Sequence, residues 1–140
     1  MIVLDTNVIS EPMRSRPDTA VVAWLNGQSD TALFTTSVTV MELRFGLERL
    51  PEGKRKADLW EVLDFTLSRL AGPRILPFDV SAAAEAARIS AKAEAAGTPI
   101  GQADAQIAAI TRAHGFAIAT RDAAPFQTAG LTVINPWNPT

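Results

Sequence analysis

Four carboxylates in this sequence stand where a solvated charge is out of place. Fifteen acidic residues are spread over 140 positions, so acidity alone says little, and the informative acids are those that interrupt apolar runs. Asp5 directly follows Ile2-Val3-Leu4, and Asp122 lies two residues past Thr120, the end of the apolar run that starts at Ala117. In open α/β sheets, ligands bind at the carboxyl ends of strands, where the topology switches direction, so two such ends define a candidate shared crevice. The plainer reading is that each Asp caps the helix or turn that follows it. Glu42 sits within Val38-Thr39-Val40-Met41-Glu42-Leu43, with Val38 and Phe45 on its helical face at i−4 and i+3. A buried carboxylate is expensive unless it is paired or holds a metal; otherwise Glu42 is a rim residue paired with Arg44 or Arg49. Asp104 falls in the first turn of a helix, where a carboxylate meets the macrodipole favourably. Its surroundings from Thr98 to Ile110 carry no other charge, and no lysine follows Lys92.

Gathered on buried elements, these four acids would repel one another without a counterion. Hard divalent cations with oxygen ligands remove that conflict, and Mg²⁺ or Mn²⁺ held by a few carboxylates and waters fits the donor set. Such a centre acts on phosphodiesters by lowering the pKa of a bound water and stabilising the leaving oxygen. Other metal chemistries are closed to the chain: it has no cysteine and one histidine, His114, so neither a thiolate site nor a zinc site of two histidines is available. His114 precedes Gly115 and reads as a favourable helix-end charge. Arg112 and Arg121, close in sequence to two of the acids, are the local candidates for phosphate contact.

The elements that must position these residues follow from periodicity. Ile2–Leu4, Ile75–Phe78 and Ala117–Thr120 read as short buried strands, with Ala32–Thr35 and Thr132–Ile134 as weaker ones. Helical patterns cover Ala20–Asn26, Val38–Leu50 with Ser37 as N-cap, Lys54–Leu70, Ala82–Ala96 and Gln102–His114. Alternating strands and helices predict an α/β domain with a mainly parallel central sheet flanked by helices. There is no internal repeat and no linker, so one domain over residues 1–140 is expected. The tail from Asn135 to Thr140, with two prolines, is expected to lie over the surface with Trp137 packed down. Hydrophobic residues make up 47% and charged residues 20%, an ordinary globular composition. No stretch resembles a signal peptide or membrane span, which makes the cytoplasm the expected location. Thirteen basic against fifteen acidic residues is not the electrostatic footprint of a stand-alone nucleic-acid binder, so a polyanion would need local arginines, metal or a second subunit.

The motifs carry a resemblance. Ile2-Val3-Leu4-Asp5-Thr6-Asn7 resembles the opening of PIN domains, in particular the VapC toxins and their FitB-like relatives. The run from Ser37 through Glu42 to Gly46 is similar to their second motif, Ile100 to Ala109 around Asp104 to the third, and Ala119-Thr120-Arg121-Asp122 to the fourth; Val133 to Trp137 resembles the FitB-like tail. The matches recur in order over nearly the whole chain. The resemblance implies a metal-binding quartet of Asp5, Glu42, Asp104 and Asp122, with Thr6, Asn7 and Thr120 as accessory polar positions. It further implies a metal-dependent endoribonuclease, the toxin of a type II toxin–antitoxin pair, with RNA as substrate, a cognate antitoxin as partner, and a homodimeric state. Where relatives often carry a further acid before a Phe, this chain has Ala123-Ala124-Pro125-Phe126, which puts occupancy by a second metal in doubt. Two apolar ridges, Leu43-Leu47-Leu50 and Leu59-Trp60-Leu63-Leu67-Leu70, offer either a dimer face or an oversized core.

Other phosphate chemistries fit less well. A haloacid-dehalogenase-like phosphatase wants a second Asp where this chain has Asn7 and a late lysine it lacks. A receiver domain could use Asp79 but lacks the same lysine. The rival of a different class is a catalytically silent PIN-like module that binds RNA or protein; four like charges held together speak against a retired site. Lys54-Arg55-Lys56 reads as a solvated helix start.

Overall fold

In the computed structural model, which describes residues 1–70 and 72–139, five short strands form one parallel sheet. They are β1 (Ile2–Leu4), β2 (Leu33–Thr36), β3 (Ile75–Leu76), β4 (Ala117–Ala119) and β5 (Val133–Ile134), in the order β3-β2-β1-β4-β5. The chain winds outward from β1 through β2 to β3, then returns to the other side for β4 and β5. The strand order therefore reverses between β1 and β4, and that crevice is where open parallel sheets bind ligands. The register pairs Leu4 with Ala119, so Asp5 and Thr120 emerge side by side from neighbouring strand ends.

Both sheet faces are buried, as an all-parallel sheet requires. Alternate side chains of one strand point to opposite faces, and the two cores divide accordingly. Val3 and Ile118 join Ile89, Ile107, Ile110 and Phe126 in one cluster. Leu4, Leu33 and Ala119 join Val8, Leu43, Leu63 and Leu67 in the other. The first packs against helices α5 (Val80–Ala95), α6 (Gln102–His114) and α7 (Ala123–Thr128). The second packs against α1 (Thr6–Ser10), α3 (Ser37–Glu48) and α4 (Lys54–Ser68). The remaining helix, α2 (Thr19–Asn26), is capped by Asp18, whose side chain accepts from Ala20 and Val21 N–H at 2.8 and 3.3 Å.

The expected strands and long helices are all present, with ends displaced where caps compete. The cap of α3 is Thr36, accepting from Thr39 N–H at 3.0 Å, rather than Ser37, which becomes the first helical residue. The cap of α5 is Asp79, accepting from Ala82 N–H at 2.9 Å, so that helix starts two residues before the expected Ala82. Two short helices were not expected: α1, and α7 with Pro125 at its third position, where the missing N–H has no intrahelical acceptor to lose.

The leucine ridges turn inward. Leu43, Leu47, Leu63, Leu67 and Leu70 are buried in the second cluster, with Leu50, Leu59 and Trp60 packed against it; the exposed apolar side chains of α3 and α4 are instead Met41, Phe45, Val62 and Phe65. Trp137 packs on the same cluster, as expected of the tail. The basic start of α4 is largely spent locally: Lys54 pairs with Asp58 at 2.8 Å and Lys56 with Glu52 at 2.7 Å. Among the described residues no helix is long and apolar enough to cross a membrane.

Candidate active site

Asp5 ends the central strand and is only 4% exposed. Its backbone N–H continues the sheet by donating to the Ala119 carbonyl at 3.0 Å. One carboxylate oxygen accepts from Thr6 N–H at 2.8 Å and the other from the Thr120 hydroxyl at 2.7 Å. The capping reading is thus half right, since Asp5 does open α1, but its second oxygen accepts from Thr120 across the sheet. Burial pushes its carboxyl up to about 6 from an ordinary 3.8, against the lowering effect of both hydrogen bonds, and the charges of Asp104 and Glu42 push it further. Two donors that favour the ionised form fail to offset desolvation and like charge.

Threonines tie the other acids to this point. The Thr6 hydroxyl donates to Glu42 Oε1 at 2.6 Å and lies 3.3 Å from Thr39 Oγ1, which in turn lies 3.3 Å from Thr36 Oγ1. Thr39 is fully buried and precedes Glu42 by three residues, on the same helical face; sequence reasoning passed over it, although that spacing was the available signal. Glu42 is half-buried and takes no arginine: Arg44 lies over the Trp60 ring at 5.4 Å and Arg49 over Phe45 at 5.4 Å. Asp104, half-buried in the first turn of α6, has its carboxyl raised by burial, then by Glu42 and Asp122. Asp122 is exposed and makes no capping bond to α7; its backbone N–H donates to the Thr120 hydroxyl oxygen at 3.1 Å. Asn7 spans the same corner, its amide 3.5 Å from Thr120 Oγ1 and its Oδ1 accepting from Arg121 N–H at 3.3 Å.

Asp104 therefore links the set, feeling Glu42 and Asp122 as Asp5 feels Asp104 and Glu42, and none of the four forms a salt bridge among the described residues. Among the described residues, however, no three Asp, Glu, His or Cys side chains converge tightly enough to clasp one ion directly. That spacing suits a cation that keeps several waters and takes only one or two carboxylates, the habit of Mg²⁺. The oxygen-only donor set, the absence of basic partners and the raised carboxyls fit such an ion.

The two arginines fare differently from expectation. Arg112, a sequence candidate for phosphate contact, is tied into the fold. Its Nη1 instead donates to the Ala129 carbonyl at 2.6 Å, closing the end of α7, and its Nε lies 3.4 Å from Glu85. Removing it leaves a buried carbonyl without that donor. Arg121 is exposed and lies over the Trp137 ring at 4.5 Å, a guanidinium held beside Asp122.

The fold and this corner have known counterparts. The PIN domain pattern matches residues 2–131, and the chain belongs to the PIN domain family. Within that family its likeness is to the VapC and FitB toxins. It is 51% identical over 140 residues to a VapC ribonuclease of Sinorhizobium fredii, covering 99% of both chains. It is 44% identical over 138 residues to the toxin FitB of Neisseria gonorrhoeae, again covering 99% of both. Among solved structures, FitAB bound to DNA superposes with a TM-score of 0.93 at 43% identity, over 99% of this chain and 96% of that one. A DNA-bound VapBC from Salmonella typhimurium gives 0.82 at 25% identity, over 98% of each.

Proposed function

We propose that the chain is a metal-dependent endoribonuclease acting in the cytoplasm, the toxin of a type II toxin–antitoxin pair. One observation carries the chemistry: Asp5, buried at the end of the central strand and within the field of Glu42 and Asp104, has no basic partner, a cost that a bound cation would relieve. Asp5, Glu42, Asp104 and Asp122 would hold Mg²⁺ or Mn²⁺ together, one or two of them directly and the others through its waters. Bound there, the ion would supply Lewis acidity toward an RNA phosphodiester and lower the pKa of a water. The chain's own residues do the rest. The Thr120 hydroxyl fixes one Asp5 oxygen and Thr6 fixes Glu42, so the ligand oxygens are aimed before metal arrives. Asn7 holds Thr120 and the Arg121 backbone in place, and the Arg121 guanidinium, braced on Trp137, faces substrate phosphate as an exposed cation. The relative named as a VapC ribonuclease supports the nucleic-acid substrate.

The partner follows the same reading. The FitAB and VapBC structures are complexes, and a cognate antitoxin is the partner proposed here. A groove of about 260 Å³ lined by Ile9, Met13, Leu25, Leu33 and Val62 offers an apolar seat for a segment of it. A homodimer is part of the proposal, with Met41, Phe45 and Phe65 as exposed apolar surface for it.

The test is cleavage of mixed-sequence RNA by the purified chain with Mg²⁺ or Mn²⁺ and with chelator. Metal-dependent products, lost in Asp5→Asn, are expected. The silent binding module draws on the wide spacing of the acids; it predicts RNA retention with no products under any metal.

A further inference from the structure

A cleft between α5, α6 and α7 reaches the candidate active site through Asp104. Its volume, about 620 Å³, falls within the roughly 300–1,000 Å³ typical of small-molecule sites, room enough for a nucleotide. Its floor is apolar, formed by Ile89, Ala93, Ile100 and Ala129. Along the rim stand Arg88 and Lys92, one turn apart on the same face of α5, both exposed. Arg112 enters from α6 and is fixed by Ala129 and Glu85. Gly130 leaves room for that guanidinium: its φ is +85°, and a Cβ there would lie 2.6 Å from Arg112 Nη1. Glu85 pairs with Arg88 at 2.8 Å as well as with Arg112, so two acids, Glu85 and the more distant Asp104 at the active-site end, stand among three bases, and Lys92 forms no ion pair among the described residues. The α7 wall, Ala124, Pro125 and Thr128, carries no charge.

A chain of net charge −2 thus has a cleft with one more base than acid, its bases on α5 and α6 away from Asp104, and that cleft opens onto the acid cluster. That arrangement suits a polyanion whose reacting phosphate lies at the acids and whose next phosphate lies away from them. We propose that the α5–α6–α7 cleft binds the RNA nucleotide adjoining the scissile phosphodiester, its base on the apolar floor and its phosphate toward Lys92 and Arg88. The inference rests on the nuclease reading above and assigns that substrate a subsite.

The experiment compares kcat/KM of the full chain on mixed-sequence single-stranded RNA, in Mn²⁺ or Mg²⁺, across a salt series. Lys92→Glu and Arg88→Ala are expected to raise KM by about tenfold or more with kcat little changed, and each lost phosphate contact lowers the salt slope by about 0.7. Thr128→Trp, which fills the cleft from an exposed position, should do the same without the change in salt slope. Arg55→Glu, an exposed charge reversal on α4, controls for net charge and should leave KM unchanged. If wild type cleaves RNA and the Lys92, Arg88 and Thr128 variants match it, the subsite is refuted and the nuclease reading stands. Loss of antitoxin inhibition with unaltered cleavage also refutes it, giving the cleft to the protein partner. A wild type that cuts no RNA overturns both readings. Should Thr128→Trp fail to fold, the two α5 variants still decide.

Discussion

Replacing Asp5 with Asn tests the electrostatic basis of the site without using activity. The carboxyl of Asp5 sits at about 6 in the folded chain against 3.8 ordinarily. At about 1.4 kcal/mol per pH unit, ionising it at pH 7 destabilises the fold by about 3 kcal/mol. Asn keeps the shape and an acceptor for Thr6 N–H, but its amide meets the buried Thr120 hydroxyl, whose proton then lacks its acceptor. That loss costs about 1 kcal/mol. The net gain for Asp5→Asn in metal-free buffer at pH 7 is about 2 kcal/mol, or on the order of 5 °C in Tm for a chain of this size.

The pH dependence carries the sign. Between 3.8 and about 6 the folded chain holds a proton on Asp5 that the unfolded chain has released. This contribution is therefore complete below the lower value and is lost as pH rises through the upper one. At pH 4 ionisation costs wild type only about 0.5 kcal/mol, so the hydrogen-bond loss dominates and the variant should be less stable by about 0.5 kcal/mol. The two stability curves cross near pH 4.5, about 0.7 pH unit above the ordinary carboxyl value. Divalent metal at a hundredfold over Kd should return about 2.7 kcal/mol to wild type and little to the variant. Urea melts from pH 4 to 7, with and without Mg²⁺, read all of this. A variant less stable than wild type at pH 7 in chelator, with no crossing, would refute the reasoning and make Asp5 a structural cap.

Three further outcomes are expected. Asp104→Asn should abolish metal-dependent cleavage and metal-induced stabilisation while leaving the metal-free chain as stable as before or slightly more so, as thermal melts will read; a loss of stability with metal dependence intact assigns Asp104 to its helix dipole alone. Thr120→Val removes the donor to Asp5 and the acceptor for Asp122 N–H; it should cost about 1–3 kcal/mol and raise the Asp5 carboxyl further, seen by carbon NMR titration. Gly130→Ala forces a Cβ onto a positive φ and against Arg112, with a cost of about 1–2 kcal/mol by urea denaturation; a neutral result would mean that Arg112 moves freely and does not close α7.

The strands and the longer helices were legible because each is an apolar run bounded by a strong stop. Helix α6 has its expected ends, from Gln102 to a glycine at φ 69° that terminates it. Cap choice was not legible: Thr36 and Ser37 are both good caps, and only the strand pairing of Thr36 with Leu76 decides between them. Helix α1 is five residues long, too short to show a period. The acids were singled out by their apolar company and Thr6 and Thr120 by the motif resemblance, but Thr36 and Thr39, which back Thr6 through their hydroxyls, were passed over, Thr39's spacing of three from Glu42 being the one signal. The fate of Arg112 depended on a carbonyl seventeen residues away, at the end of a helix the sequence had not announced. Whether a leucine ridge faces its own core or a neighbour is likewise decided by the packing of two helices, not by either one's periodicity.

The placement of the acids explains why the fold tolerates them. Asp5 leaves the central strand, whose neighbours on both faces are fully buried side chains such as Val3, Val8 and Ile118. There desolvation is greatest and a counter-charge has most effect. Asp122, at the far side of the crevice, is exposed and bears little of that cost. The gradient from a desolvated acid to a solvated one lets a cation enter from the wet side and reach the carboxylate that gains most from it. The same gradient favours any cationic side chain of a partner that reaches Asp5, so such a partner and divalent metal should compete for the site. Raising metal concentration should then weaken inhibition by a basic partner that acts at these carboxylates, and leave unchanged inhibition by one that acts only in the apolar groove.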